Sequence, residues 1–180
     1  MKAAIVGGGI GGLAAAVALR RVGIETVVYE RARQFESVGA GLTLAPNAVR
    51  ALERLGLADA VRAVSARGRE LLVRTAGGHT LLRVELREPL ELLGVHGAEL
   101  QRVLAEAAGD VRLGAEVGDV ASLAAEADFV VGADGINSVV RASLHGRQPP
   151  LYAGYDGWRA VAEVRRRAAP RSLRRDVGTG

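Results

Sequence analysis

Apolar residues run from Ala3 to Val6, give way to a cluster of glycines, and resume from Leu13 to Leu19. This reads as a short strand (KAAIV, 2–6), a turn over Gly7–Gly12 and a helix over 13–22. Glu25–Glu30 (ETVVYE) is rich in β-branched residues and predicts a second strand. A polar stretch, RARQFESVGAG, follows as a loop. In APNAVRALERLGL, the positions Val49, Leu52 and Leu55 form one helical stripe, and Gly56 is a stop signal. Residues 69–86 alternate as a β-hairpin turning at Gly77-Gly78. A further helix is expected over 98–108, then short strands near 111–113 and 128–132, and a helical stretch carrying Ser138 and Arg141. Between those strands GAEVGDVASLAAEA is poorly patterned. Residues 146–157 read as a loop, Trp158–Val164 as the start of a strand, and 165–180 as a poorly ordered tail without apolar periodicity.

Alternating β and α segments joined by glycine-rich turns predict a parallel α/β sheet with flanking helices, a Rossmann-like fold. The hairpin at 69–86 and the strand opening at 158 look like additions to it. The expected organisation is a cofactor domain over 1–150, including the hairpin and a short connection at 114–127. The start of a second, substrate-binding sheet follows over 151–164, and the arginine-rich tail over 165–180.

Composition narrows the chemistry. The 180 residues are 49% hydrophobic and 24% charged, so a buried core is available. Cysteine is absent, which removes disulfides, thiolate metal sites and thiol nucleophiles. The three histidines, His79, His96 and His145, have no metal-ligand spacing, and no Ser/His/Asp constellation can be argued. No metal site and no catalytic residue is assigned. The net charge of +4 belongs to the tail: residues 165–180 hold six arginines against one acid, and the first 164 residues balance 18 basic against 19 acidic. The body therefore lacks the basic, aromatic-interleaved surface of a nucleic-acid binder. The uncharged run 3–19 imitates a signal peptide or a membrane span. Its five glycines between positions 7 and 12 suit a turn instead, so the expectation is a cytoplasmic protein with no membrane partner.

The chemistry-bearing pattern is Gly7-x-Gly9-x-x-Gly12, placed directly after a strand and opening a helix. Gly7 permits the tight turn, Gly9 lets a pyrophosphate approach the backbone, and Gly12 lets the helix pack closely, with small Ala16 one turn later. The helix start presents free N–H groups and its positive end to phosphate. Glu30 ends the second strand eighteen residues after Gly12, where a carboxylate accepts the hydroxyls of an adenosine ribose. An acid there disfavours a 2′-phosphate, so FAD or NAD is preferred over NADP. Arg31 or Arg33, just beyond, could reach the adenosine or phosphates.

With VGGGIGGLAAAVALRRVGIETVVYERA, GAGLTLAPNAVRALERLGL and DFVVGADGINSVVR in that order, the chain resembles the FAD-dependent aromatic hydroxylases, single-component flavoprotein monooxygenases of the para-hydroxybenzoate and salicylate hydroxylase type. The resemblance runs from Met1 to about Val164. It implies that Gly7, Gly9, Gly12 and Glu30 hold the ADP half of FAD, that the backbone at Gly39-Ala40-Gly41-Leu42 lies near the flavin ring, and that Asp134 and Gly135 sit near the pyrophosphate. Trp158-Arg159 matches the strand leading into the family's substrate sheet.

Three departures from the family are visible. Gly97 stands where an arginine or glutamine usually contacts FAD, with Arg102 a candidate substitute. The 114–127 connection is too short for the family's β-meander. The later GDAAH-type motif and most of the substrate domain do not follow. The implied function is the FAD-binding portion of an NAD(P)H-dependent monooxygenase acting on a small aromatic molecule, not competent by itself. The alternative is a non-catalytic FAD- or NAD-binding module that needs a partner polypeptide.

Overall fold

A computed structural model of the chain describes residues 1–35, 41–87, 90–157 and 172–177. These fall into two compact units, one of Met1–Gly39 with Gly97–Arg159 and one of Ala40–His96 with Ala160–Gly180. The hairpin expected inside the first domain therefore belongs to the second unit.

The first unit is built on β1 (Lys2–Val6), α1 (Ile10–Arg21) and β2 (Glu25–Glu30). In the second unit the chain then forms β3 (Gly41–Leu44), α2 (Pro46–Leu55), α3 (Ala58–Ala63), β4 (Ser65–Gly68), β5 (Glu70–Thr75), β6 (Thr80–Glu85) and β7 (Leu92–His96). It returns to the first with α4 (Gly97–Ala108), β8 (Asp110–Leu113), α5 (Val120–Ala125), β9 (Phe129–Gly132) and α6 (Val139–His145), and a last strand, β10 (Ser172–Val177), lies in the second unit.

The first unit's sheet has the order β8-β2-β1-β9, all parallel. In chain order that is 3-2-1-4, the arrangement of a dinucleotide-binding sheet. A parallel sheet covered on both faces needs apolar residues on both, and β1 supplies them: Ala3, Ala4, Ile5 and Val6 are all buried. Ala4 and Val6 pack with Leu123 of α5 and Val140 of α6. By strand alternation Ala3 and Ile5 point to the opposite face. Helix α1 packs on β1 and β2, and α4 packs on α1 with Leu100, Val103, Leu104 and Ala108 buried.

Helix α1 starts at Ile10, three residues before the apolar pattern suggests. Gly11 and Gly12 are thus helical, and their environments differ. A Cβ on Gly12 would lie 1.9 Å from the Gly7 carbonyl oxygen, whereas one on Gly11 would meet nothing within 4 Å. Gly12 is a packing requirement and Gly11 is not.

In the second unit, β3-β7-β4 form an antiparallel sheet and β10-β5-β6 a mixed one. Gly78 adopts φ +86° in the hairpin turn, as the Gly77-Gly78 pair predicts, and Gly56 caps α2 in the left-handed region. Arg62 of α3 joins Glu53 of α2 at 2.6 Å, Asp59 at 2.9 Å and Glu91, just before β7, at 2.9 Å. The hydrogen bonds it donates to Glu91 first, then to Glu53 and Asp59, hold its guanidinium above its ordinary pKa. Strands β3, β4 and β7 and helix α3 were not legible as separate elements in the pattern. The tail also departs from expectation, since Ser172–Val177 pairs in parallel with β5. Backbone groups make that pairing, and apolar periodicity does not report on them. The expected strand at Trp158–Val164 lies outside the described residues, as does the remainder of the tail.

Two local devices shape the later half of the first unit. The poorly patterned 114–127 segment contains α5, capped by Asp119, whose side chain accepts from Ala121 N–H at 2.9 Å and from the Ser122 hydroxyl. After β9, Gly135 turns at φ +79° and Asp134 reaches forward to the start of α6. Its carboxylate accepts from Ser138 Oγ at 2.5 Å and from the N–H groups of Val139 at 2.6 Å and Val140 at 3.3 Å. Ser138 in turn accepts from Arg141 N–H at 2.9 Å. Burial pushes the Asp134 carboxyl upward, but the bonds from Ser138, Val140 and Val139 outweigh it and hold it below its ordinary value.

Gly12→Ala should destabilise the chain by about 1–3 kcal/mol through overpacking, while Gly11→Ala should be neutral or stabilise by about 0.5–1 kcal/mol. Chemical denaturation of the two variants checks this: the midpoint should fall in Gly12→Ala and stay unchanged or rise in Gly11→Ala. Asp134→Ala should cost about 1–2 kcal/mol at neutral pH. Because the folded-state value is depressed, this contribution is complete above the unfolded-state pKa near ~4 and fades as pH falls through the lower folded value. The difference between the original chain and Asp134→Ala should therefore shrink on acidification below about pH 4.

Candidate functional site

The four parallel strands of the first unit all end at one cleft of about 270 Å³. Gly7 and Gly9 follow β1, Glu30 and Arg31 close β2, Ala115 to Val117 follow β8, and Ala133 to Gly135 follow β9. Ligands of open α/β sheets bind at this end of the strands, where loop backbone and helix starts converge. The volume sits at the lower edge of small-molecule pockets, roughly 300–1,000 Å³, and so suits part of a dinucleotide. A more open depression of about 420 Å³ lies along the second unit's hairpin. Four of its five charged residues pair with one another, Arg83 with Glu70 and Arg87 with Glu85.

The glycine loop is held from several sides. Gly7 adopts φ +108° and passes so close to the backbone after β9 that a Cβ would lie 2.4 Å from the Ala133 carbonyl oxygen. Its N–H donates to the Tyr29 carbonyl at 2.8 Å. The Gly8 N–H donates to one Glu30 carboxylate oxygen at 2.6 Å, and the Ala32 N–H donates to the other at 2.9 Å. The same carboxylate crowds Gly8, where a Cβ would lie 2.8 Å from Glu30 Cβ. Gly9, the N-cap of α1, is open: a Cβ there would meet nothing within 4 Å. Three glycines are therefore fixed by neighbouring protein, and Gly9 faces the cleft. The first N–H groups of α1 lack intrahelical partners and are available to an anion.

Of the residues singled out in the sequence, Gly7, Gly9, Glu30, Arg31, Asp134 and Gly135 line this one cleft, and Gly12 shapes its floor from behind. Arg33 lies beside Gly114, outside the lining. Gly41 and Leu42 begin β3 and belong to the second unit. Arg102 is not among the residues this cleft brings together. It lies on the exposed flank of α4, bound to Glu99 at 3.0 Å and Glu106 at 2.7 Å, and it does not line the cleft. Its neighbour Gln101 reaches the loop instead, donating from Nε2 to the Gly8 carbonyl at 2.8 Å.

Sequence reading also missed the 115–117 wall, Tyr29 and Asn137. A signal for Gln101 existed: it is the polar residue flanking the buried Leu100-Leu104-Ala108 stripe of α4. Arg112 stacks over the Tyr29 ring at 5.4 Å, stiffening the wall at the end of β2. Among the described residues, no group of His, Cys, Asp and Glu could hold a metal ion, and no helix is long and apolar enough to cross a membrane.

Comparison with known proteins agrees with this geometry. A family model described as "FAD binding domain" matches residues 1–125. The chain is 40% identical over 176 residues to a 3-amino-4-hydroxybenzoate 2-monooxygenase from Streptomyces cremeus, an alignment covering 86% of this chain and 44% of the relative. It is 33% identical over 195 residues to an FAD-dependent urate hydroxylase from Klebsiella oxytoca, covering 94% and 50%. Among solved structures, Klebsiella pneumoniae HpxO complexed with FAD and uric acid superposes with a TM-score of 0.68 at 28% identity, over 83% of this chain and 43% of that one. The tetrameric form of 2-methyl-3-hydroxypyridine-5-carboxylic acid oxygenase gives 0.67 at 27% identity, over 80% and 42%. The chain spans about half the length of the curated relatives it matches. With a parallel 3-2-1-4 sheet, a glycine loop braced by Glu30 and a family model matching its first 125 residues, the chain belongs to the FAD-binding domain family of the FAD-dependent aromatic hydroxylases and monooxygenases.

Proposed function

We propose that this chain provides the ADP-binding half of an FAD site in an NAD(P)H-dependent monooxygenase acting on a small aromatic molecule. The observation that carries the reading is the braced glycine loop: Glu30 and the backbone after β9 fix Gly7 and Gly8, leaving Gly9 open beside the first turn of α1. The cradle fits a pyrophosphate, because side chains are excluded where the backbone must curve and missing where a ligand must approach.

Each residue then has a task set by its chemistry. The first-turn N–H groups of α1 bind phosphate oxygens. The Glu30 carboxylate, already accepting two N–H bonds, has remaining lone pairs for ribose hydroxyls. Arg31, exposed at the rim, supplies positive charge toward phosphate or adenosine. Asp134 and Gly135 form the wall opposite Glu30, with Asp134 held ionised by the α6 cap. Gly41 and Leu42 are assigned to the flavin ring by resemblance to the family. Arg102, tied to two glutamates, takes no part. FAD, when bound, would supply electron transfer from reduced nicotinamide to oxygen, and the protein's share is to orient it and exclude water. Relatives named for 3-amino-4-hydroxybenzoate and urate support the substrate class.

The test is a titration of purified chain with FAD, ADP and NAD, followed by visible spectra and NADH oxidation. FAD and ADP should bind, with NAD weaker. Absence of FAD binding overturns the proposal. NADH oxidation without oxygenated product would narrow it to a flavin-binding module. Glu30→Ala should weaken ADP and FAD by about ten- to a hundredfold, since a charge-assisted bond to the loop and the ribose acceptor are lost together.

A further inference from the structure

The Gly8 peptide units are held from both sides. The N–H of Gly8 is bound by Glu30, and its carbonyl, in a buried residue, is bound by the half-buried Gln101 Nε2 at 2.8 Å across 93 residues of sequence. The second bond fixes more than an oxygen. The Gly8 carbonyl and the Gly9 N–H belong to one planar trans peptide, so they point in opposite directions. With the carbonyl drawn toward α4, the Gly9 N–H faces away from α4. Gly9 itself lines the cleft, and among the described residues its N–H meets no protein acceptor. We propose that Gln101 is a positioning residue that aims the Gly9 N–H at a phosphate of the bound nucleotide; this rests on the ADP-site reading above.

The energetic logic is one-sided. A buried carbonyl without a donor is costly, and in a glycine loop the peptide can rotate at little steric expense. Without Gln101 the Gly8 carbonyl would turn to find water on the cleft side. Rotation exchanges a donor for an acceptor at the place where an anion must sit, so the loss falls on phosphate and not on adenosine. The adjacent Arg102 cannot substitute, because it projects about 100° around the helix and is held by Glu99 and Glu106.

The test compares ADP with adenosine on the full chain and three variants. Gln101→Met keeps shape without a donor, Gln101→Glu offers only acceptors at neutral pH, and Gln101→Lys restores a donor. ADP affinity should fall about five- to twentyfold in Gln101→Met and further in Gln101→Glu, and return to within about threefold in Gln101→Lys. Adenosine affinity should stay within about twofold throughout. Equal loss of ADP and adenosine, or ADP binding by Gln101→Met matching the unaltered chain, overturns the inference while leaving the ADP-site reading intact. An unaltered chain that binds neither ADP nor FAD overturns both. Thermal unfolding of each variant identifies any that fails to fold. If Gln101→Met fails, the contrast between Gln101→Glu and Gln101→Lys decides, and equal ADP affinity in those two overturns the inference.

Discussion

Helix α1 can begin where it does only because nothing projects from Gly12 toward the Gly7 carbonyl. The 1.9 Å that would separate a Cβ from that oxygen is about half a normal contact, so the helix start and the strand end share space that any side chain would close. From this approach follow the tight exit from β1, the direction of the first-turn N–H groups and the open position at Gly9. Gly7 meets the same restriction from the other side, against the backbone after β9. The loop is thus clasped between its own helix and the neighbouring crossover, and its shape is set by exclusion before attractive forces act.

Polar interactions then orient what exclusion has shaped. Glu30 takes the Gly8 N–H, Gln101 takes the Gly8 carbonyl, and Asp134 gathers the start of α6 into the opposite wall. Apart from the Ser138 hydroxyl on Asp134, each partner is a backbone group, so side-chain identity matters at only one end of those pairs. The cleft needs few particular residues, and those it needs come from different elements.

That asymmetry explains what could be read in the sequence. Gly7, Gly9, Gly12 and Glu30 were legible because they form one short pattern: spaced glycines between a strand and a helix, and an acid where the second strand ends. The sheet was legible because β1 carries an apolar run and β2 is rich in β-branched residues. For Gln101 the helical pattern showed only its place beside the buried stripe of α4; its task was not legible, because its partner is a carbonyl 93 residues away and a carbonyl leaves no trace in residue type. Arg102 drew attention through its charge, yet one residue of helical phase separates the exposed flank from the side facing the loop. The short strands β3, β4 and β7 carry only four or five residues each, too few for alternation to stand out. Strand β10 is placed by backbone pairing in a segment whose arginines hide it.

The place of β1 in its sheet also has a consequence for how the chain is made. It precedes both of its partners in the chain, and it lies between β2, its neighbour in sequence, and β9, which pairs Ala3 with Phe129 and leaves Asp128 to accept from the Lys2 N–H. One edge pairs with residues 23 positions on, Ala3 with Thr26, but the other waits for residues 126 positions on. Over that interval an apolar strand and a glycine-rich turn stand ready to pair with whatever is near. Such long-range closure slows folding. The strand that anchors the nucleotide loop is therefore among the last to be fully enclosed, and the loop reaches its final geometry only when the whole parallel sheet has closed.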